Sequence, residues 1–459
     1  MRKTKKILAL ALSAAMALSL LAGCGGDKPA NNPGSANNPG SANNPGSANN
    51  PSSAGTPTGG GETGRVYWLN FKPELDETAQ DLAKAYTAKT GVPVQVITAA
   101  AGTYQQTLTA EMDKSAPPTL FVIGNTAGVA DWGEYAMDLT GTAIANELNT
   151  DAYNLYDDAG KLVSIGYCYE CYGIIVNPDL VTKAGHSMDE IKDFASLKAV
   201  VEDIHANAAT LGFDAFTSCD MDDSSSWRFT GHMANLEYFY EQKDNPWTEC
   251  PATITGAYMD NFKNLYDLCI NNSLTAPTDL ATGGHDAGQE FKDGKAAFTV
   301  QGSWEYANYV ASVPNATMIP YYCGVAGEEK AGLNCGTENC WAVNANVSEA
   351  DQKATIDFMV WLVSDPDASA KMVEQLGILP YKNAVESSNG FLADAAEYTA
   401  NGCYVMPWVT NYQPNVDEYR RGLVAALNQY NADQSAANWE QFRIAFVDGW
   451  AAQYNTVNG

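Results

Sequence analysis

Short apolar runs alternate with segments of helical periodicity once the chain passes residue 64. The run at 66–69 predicts a buried strand, and the runs at 92–97 and 120–123 predict two further strands. Between them, apolar residues recur every three or four positions and predict two helices, through Leu75, Ala79, Leu82 and Tyr86 and through Tyr104, Leu108 and Met112. This β-α-β-α-β order is typical of a parallel sheet flanked by helices, which binds ligands beyond the carboxyl ends of its strands.

The same pattern returns later in the chain. Apolar runs at 173–177 and 298–300 predict further strands, the second leading into Gly302-Ser303-Trp304. Near the end, Asp365-Pro366 separates two predicted helices. Because strands lie on both sides of a long middle section, the chain is predicted to form two α/β lobes.

The N-terminus has the pattern of an export signal, predicted over residues 1–23. Basic residues precede a continuous apolar run at 7–21, which is too short for a spanning helix. The run ends in Leu21-Ala22-Gly23-Cys24, which resembles the bacterial lipobox, where the chain is cut before a cysteine that becomes lipidated. An ordinary signal peptide is the alternative.

Residues 24–64 are predicted to be a disordered linker that follows the lipidated Cys24. The hexamer NNPGSA occurs three times from Asn31 to Ala48, and NNPSSA follows. Such a segment cannot bury apolar surface to offset chain entropy. A tether of this length spans roughly 35 Å.

Charge and cysteine content restrict the chemistry. The chain has 54 acidic and 26 basic residues, a net charge of −28, so nucleic acid is not an expected partner. Beyond Cys24, nine cysteines remain, which leaves both disulfides and free thiols open. No metal or other cofactor is expected, because the chain has four histidines and no paired Cys/His clusters. It also lacks the hydrolase and nucleotide-binding motifs, so no enzymatic activity is predicted.

Four segments carry a resemblance to a known family. They are VYWLNF…AKAYTAKTGVPVQV at the start, AGKLVSIGYCYECYGIIVNPDL at 159–180, FKDGKAAFTVQGSWE at 291–305, and GTENCWAVN at 336–344 with LGILPYKN at 376–383. In this order, the chain resembles the extracellular solute-binding proteins of ABC importers, in particular the carbohydrate-binding group that includes maltose-binding protein.

The resemblance implies an α/β, two-lobed periplasmic-binding-protein-like fold (type II) with a hinge and an interlobe ligand cleft. Lobe 1 would comprise residues 65–170 and 336–402, and lobe 2 residues 171–335 and 403–459. The implied function is that of an extracellular oligosaccharide receptor, a monomer that delivers its ligand to ABC transporter permease subunits. The lipid anchor would hold it on the outer face of the cell membrane, in a Gram-positive-type envelope. The alternatives are a receptor for another small solute (a polyamine, an amino-acid-like compound or a metal complex) and a secreted glycoside hydrolase.

Sugars present C–H faces that suit aromatic rings and hydroxyls that suit amides, carboxylates and Arg. Trp304 follows a strand and a glycine turn, and the resemblance implies that it stacks on the ligand; packing is its alternative role. Other ligand-binding candidates follow from loop, hinge or crossover position: Lys72, Tyr104, Asn125, Tyr167, Glu170, Trp227, Arg228, Glu338, Trp341 and Trp408. Among these, Glu170 could instead fix the hinge, Trp341 could be a buried strand residue, and the loop ending in Trp227-Arg228 could cap a helix.

Overall fold

The computed structural model of the protein describes residues 63–100, 102–222, 225–247, 249–337 and 340–458. The predicted signal segment, Cys24 and the linker up to residue 62 lie outside the described residues.

The described strands are, in chain order, β1 (Val66–Asn70), β2 (Val94–Thr98), β3 (Leu120–Ile123), β4 (Leu155–Tyr156), β5 (Leu162–Ser164), β6 (Glu170–Val176), β7 (Asp214–Phe216), β8 (Ala296–Gly302), β9 (Thr317–Ile319), β10 (Ala331–Gly336), β11 (Cys340–Val343) and β12 (Tyr404–Pro407). The described α-helices are Asp76–Thr90, Tyr104–Met112, Thr126–Trp132, Ala143–Glu147, Pro178–Lys183, Phe194–Ala206, Ala208–Leu211, Asn235–Asp244, Met259–Asn271, Ala287–Lys292, Tyr306–Val310, Glu349–Ser364, Pro366–Leu376, Gly390–Ala400, Val416–Ala432 and Ala436–Asn458. A π-helical turn covers Arg228–Met233.

The first sheet has the strand order β11-β3-β1-β2. β1 pairs in parallel with both β2 and β3, which confirms the β-α-β-α-β prediction. The helix after β1 ends at Thr90, and Gly91 caps it with a left-handed φ of 78°. Trp68 and Trp341 lie at the centre of this lobe's core, with ring centroids 6.0 Å apart.

The second sheet has the strand order β12-β10-β6-β8-β7, and β9 also pairs with β6. Every residue of β6 and β8 is buried, because helices cover both faces. The C-terminal helices Val416–Ala432 and Ala436–Asn458 contribute to the core that lies on this sheet. The two sheets form the two α/β lobes that the repeated strand pattern predicts.

Three segments connect the lobes. They follow β5, β10 and the helix Pro366–Leu376. Two of them are hydrogen-bonded to each other, since the Tyr169 amide donates to the Ile378 carbonyl at 2.6 Å and the Ile378 amide donates back at 3.3 Å. Such paired connections are suited to serve as a hinge between rigid lobes.

One helix lies outside the predicted division. Residues 336–402 were assigned to lobe 1, but the helix Gly390–Ala400 packs on the second sheet through Phe391, Leu392 and Ala395. Its partners include Leu333 of β10 and Met318 of β9. Helical periodicity shows that a helix has an apolar face, but it does not show which of the two sheets that face packs on.

The nine described cysteines are all free thiols. Within the described ranges, no helix has the length and apolar character that a membrane crossing requires.

Candidate functional site

A cleft of about 820 Å³ lies between the lobes. On the first lobe, the residues that follow the carboxyl ends of the parallel strands line it: Phe71, Lys72 and Glu74 after β1, Ala100 and Gly102 after β2, and Gly124 and Asn125 after β3. This is the place where ligands bind to sheets of this kind. The volume is within the range of small-molecule sites.

The second lobe supplies an aromatic floor, formed by Trp227, His232, Trp304 and Trp408. The His232 ring centroid lies 4.8 Å from Trp227, 5.3 Å from Trp304 and 6.3 Å from Trp408. Trp227 and Trp304 are half-buried, so they expose part of their rings to the cleft. The floor is therefore a broad apolar surface with defined ring orientations.

Two glycines allow the tryptophans of the floor to lie where they do. A Cβ on Gly302 would meet the Trp304 ring at 2.1 Å, and a Cβ on Gly336 would meet Trp408 at 2.9 Å. Both glycines end strands of the second sheet. Each tryptophan ring therefore packs over the end of a strand, at a position where any side chain would collide with the ring.

A buried ion pair joins the lobes beside the floor. Lys72 Nζ lies 2.9 Å from Glu170 Oε2, and the two residues are 7% and 2% exposed. Burial acts to lower the pKa of Lys72, but the carboxylates of Glu170 and Glu74 outweigh it and raise that pKa well above its ordinary value. The same ammonium lies 5.7 Å from the centre of the Trp304 ring.

His232 is held neutral at the centre of the floor. Burial, and then the charges of Arg420, Arg228 and Lys72, hold its pKa well below the ordinary value. Its ring stacks on Tyr172 at 4.1 Å. The imidazole is therefore a neutral, stacked ring with three cations near it.

Eight of the eleven predicted ligand-binding residues line the cleft: Lys72, Tyr104, Asn125, Glu170, Trp227, Arg228, Trp304 and Trp408. Besides Lys72 and Glu170, which form the ion pair, two of these residues have polar atoms engaged by hydrogen bonds. The Tyr104 hydroxyl donates to the Leu69 carbonyl and accepts from the Val122 amide. The Asn125 side-chain oxygen caps the helix Thr126–Trp132.

Tyr167 and Trp341 lie in the core of the first lobe and not at the cleft. They are 1% and 0% exposed, and their rings stack on each other at 4.7 Å. Trp341 is on β11, where it packs against Trp68 of β1, so it is the buried strand tryptophan of the alternative interpretation. Glu338 lies outside the described residues.

The cleft also holds residues that the sequence did not indicate. They include Gln105, Trp132, His232, Gln301, Glu305 and Arg420. Gln105 directly follows Tyr104 and Glu305 directly follows Trp304, so their positions next to predicted ligand residues were the usable signals. Nothing local marks Arg420, which is in a helix more than a hundred residues further on. Among the described residues, no group of three or more His, Cys, Asp or Glu side chains is arranged to hold a metal ion.

Replacing Lys72 tests the ion pair. Lys72→Met leaves the Glu170 carboxylate buried without its cation, so we expect the free energy of unfolding, measured by urea denaturation at pH 7, to fall by about 3–5 kcal/mol. The control is Lys72→Met combined with Glu170→Met, which removes both charges and should recover most of the loss. A loss below about 1 kcal/mol in the single variant would show that the pair is not the buried contact described above.

The chain is similar to known proteins in its sequence profile and in its fold. The sequence profile of the bacterial extracellular solute-binding proteins matches residues 81–401, and no curated protein sequence matches the chain. Among solved structures, a chitin oligosaccharide binding protein aligns with a TM-score of 0.63 at 17% identity, covering 86% of this chain and 99% of the other. The bacterial solute receptor AcbH, described as preferring β-D-galactopyranose, aligns at 0.65 and 12% identity, covering 86% and 100%. The maltodextrin-binding domain MalE from Bdellovibrio bacteriovorus, bound to maltotriose, aligns at 0.60 and 17% identity, covering 85% and 99%. These similarities show the two-lobed solute-binding protein fold, and the chain belongs to the bacterial extracellular solute-binding protein family.

Proposed function

We propose that the protein is a carbohydrate receptor of an ABC importer, which captures a sugar between its lobes. The observation that carries the proposal is the aromatic floor, because exposed indole rings suit the C–H faces of a sugar ring. The similar structures described as binding chitin oligosaccharides, β-D-galactopyranose and maltotriose support it.

The wall opposite the floor suits sugar hydroxyls. The side-chain amides of Gln105 and Asn125 line it, and Gln301 adds another amide at the end of β8. The oxygens of these amides already accept hydrogen bonds from Gly128, Trp132 and Gly302, so the amides offer sugar hydroxyls donors more readily than acceptors. A sugar ring would thus meet indole on one face and amides around its rim.

The other functions that the sequence left open fit the cleft less well. A polyamine would meet the cations of Lys72, Arg228 and Arg420 at the floor, although five acids also line the cleft. A glycoside hydrolase needs a free pair of carboxyl groups, and two of these five acids, Glu170 and Glu74, are not free because they contact the ammonium of Lys72. We infer capture and release of an unmodified ligand, without catalysis.

Ligand binding would be coupled to movement of the lobes. Both lobes line the cleft, so a ligand that contacts both favours the closed arrangement by mass action. The paired connections at Tyr169 and Ile378 are the natural hinge. The permease subunits would then recognise the closed, loaded form.

We also propose that Cys24 is lipidated and that residues 25–64 tether the receptor to the outer face of the membrane. The support is the sequence pattern around Leu21-Ala22-Gly23-Cys24 and the repeat that follows it. A tethered monomer beside its permease stays at a high effective concentration.

Trp304→Ala tests the carbohydrate site. We expect it to weaken binding of the best sugar in a panel of mono- and oligosaccharides by about tenfold or more, because the stacking ring is lost. Calorimetric titration gives the affinity, product analysis checks for turnover, and the melting temperature reports on folding. The control is Trp361→Ala, a half-buried tryptophan that packs on Tyr86 away from the cleft, which should leave affinity unchanged. Unchanged affinity in Trp304→Ala would remove this ring from the site, and released sugar products would overturn the receptor assignment.

Cys24→Ser tests the anchor. In the native host the unmodified chain should incorporate labelled palmitate and fractionate with membranes. The variant should lose the label, because it has no thiol at residue 24 that can be acylated. A variant that still incorporates palmitate would contradict the proposed anchor.

A further inference from the structure

We propose that the ligand is an anionic saccharide, whose carboxylate or sulfate group is bound by Arg228 and Arg420 beside the aromatic floor. The inference rests on the proposed carbohydrate function and adds the charge of the ligand to it. It follows from where the arginines lie, what they contact, and which acids near them are already engaged.

The chain places its few arginines at the cleft. It has six arginines in all, and Arg228, Arg420 and Arg421 line the cleft. Arginine is the side chain that binds carboxylate and sulfate-like groups through two parallel hydrogen bonds. Four cations, Lys72 and these three arginines, thus line the cleft together with five acids, in a chain whose net charge is −28.

Arg228 is fixed in position but keeps hydrogen-bonding capacity. Its guanidinium carbon lies 4.4 Å from the centre of the Trp227 ring, and its Nη1 donates to the Ser225 carbonyl at 3.2 Å. Its Nε is buried and has no hydrogen-bond partner among the described residues. No carboxylate of the described chain forms an ion pair with it.

Arg420 is likewise held in position by the residues around it. Its Nε donates to Gln413 Oε1 at 2.7 Å, and Gln413 in turn donates to the Thr230 carbonyl at 2.9 Å. The guanidinium lies against Gly231, where a Cβ would meet its carbon atom at 2.8 Å. This guanidinium likewise forms no ion pair within the described ranges.

Three of the five acids that line the cleft have identified contacts. Glu170 and Glu74 both contact Lys72. Glu305 accepts a hydrogen bond from Asn308 at 3.1 Å, and burial raises its pKa although the charge of Arg228 acts to lower it. The other two, Asp131 and Asp417, also have partners. Within the described ranges, no ion pair joins any of these acids to Arg228 or Arg420.

The neutral state of His232 supports the same conclusion. Burial comes first among the causes of its low pKa, and Arg420, Arg228 and Lys72 add to it. These three cations come from separate parts of the chain, and all three line the same cleft as His232. An anion bound there would gain from all three, while a neutral sugar would leave both arginines desolvated and unpaired.

The test compares acidic saccharides with neutral counterparts that have the same sugar backbone. The full chain is titrated calorimetrically with galacturonate, glucuronate and mannuronate oligosaccharides, with their neutral methyl esters, and with sulfated and unmodified neutral galactose oligosaccharides. We expect at least one acid to bind about tenfold or more tightly than its neutral counterpart. The carboxylate and sulfate arms distinguish the two sources of the anion.

Arg420→Met should reduce binding of the preferred acid to about the level of its neutral counterpart, and Arg420→Lys should recover part of the loss because it keeps the charge without the planar fork. The matched control is Arg443→Met, an exposed arginine paired with Glu440, which should change neither affinity nor melting temperature. Equal or tighter binding of neutral sugars, or a preference for a cationic chitosan oligosaccharide, would overturn the anionic assignment and leave the carbohydrate function standing. The absence of binding to every saccharide would overturn both.

Discussion

A buried ion pair between Lys72 and Glu170 joins the two lobes where the cleft begins. Lys72 follows the first strand of one lobe, while Glu170 starts β6 of the other. Burying two charges costs about as much free energy as their attraction contributes, so the pair adds little net stability. Its main effect is to hold the two side chains in position. It holds an ammonium 5.7 Å from the Trp304 ring centre, and thereby fixes one edge of the aromatic floor. Since the two partners lie 98 residues apart in sequence, the contact exists only once both lobes are formed.

In the rest of the cleft, some groups support the structure and others are available to bind a ligand. Glycines end the strands so that Trp304 and Trp408 can fold over them, and backbone groups engage the polar atoms of Tyr104. The groups that can still contact a ligand in the cleft are indole faces, amides and the guanidinium groups of Arg228 and Arg420. Rigid support behind exposed recognition groups lowers the entropy cost of binding.

The sequence predicted β1, β2 and β3 because apolar residues dominate these strands, and it predicted the two helices between them because apolar residues recur there at helical spacing. Trp304 could be placed at the cleft because a strand and a glycine position it locally. Trp341 could not, since the same residue type beside polar neighbours fits a cleft wall or a core, and only the pairing of β11 with β3 buries it. Arg420 was missed because a helix surface gives no sign of the distant loop that it faces. The position of a residue can thus be predicted when its neighbours in sequence determine it, but not when contacts between distant parts of the chain do.

The central claim is that a saccharide binds between the lobes, on the aromatic floor. A crystal structure of the protein with its tightest-binding saccharide tests this most directly. The account predicts a sugar ring stacked on Trp304, with polar contacts from both lobes. A saccharide bound outside the cleft, or held by one lobe alone with Trp304 out of contact, would contradict it.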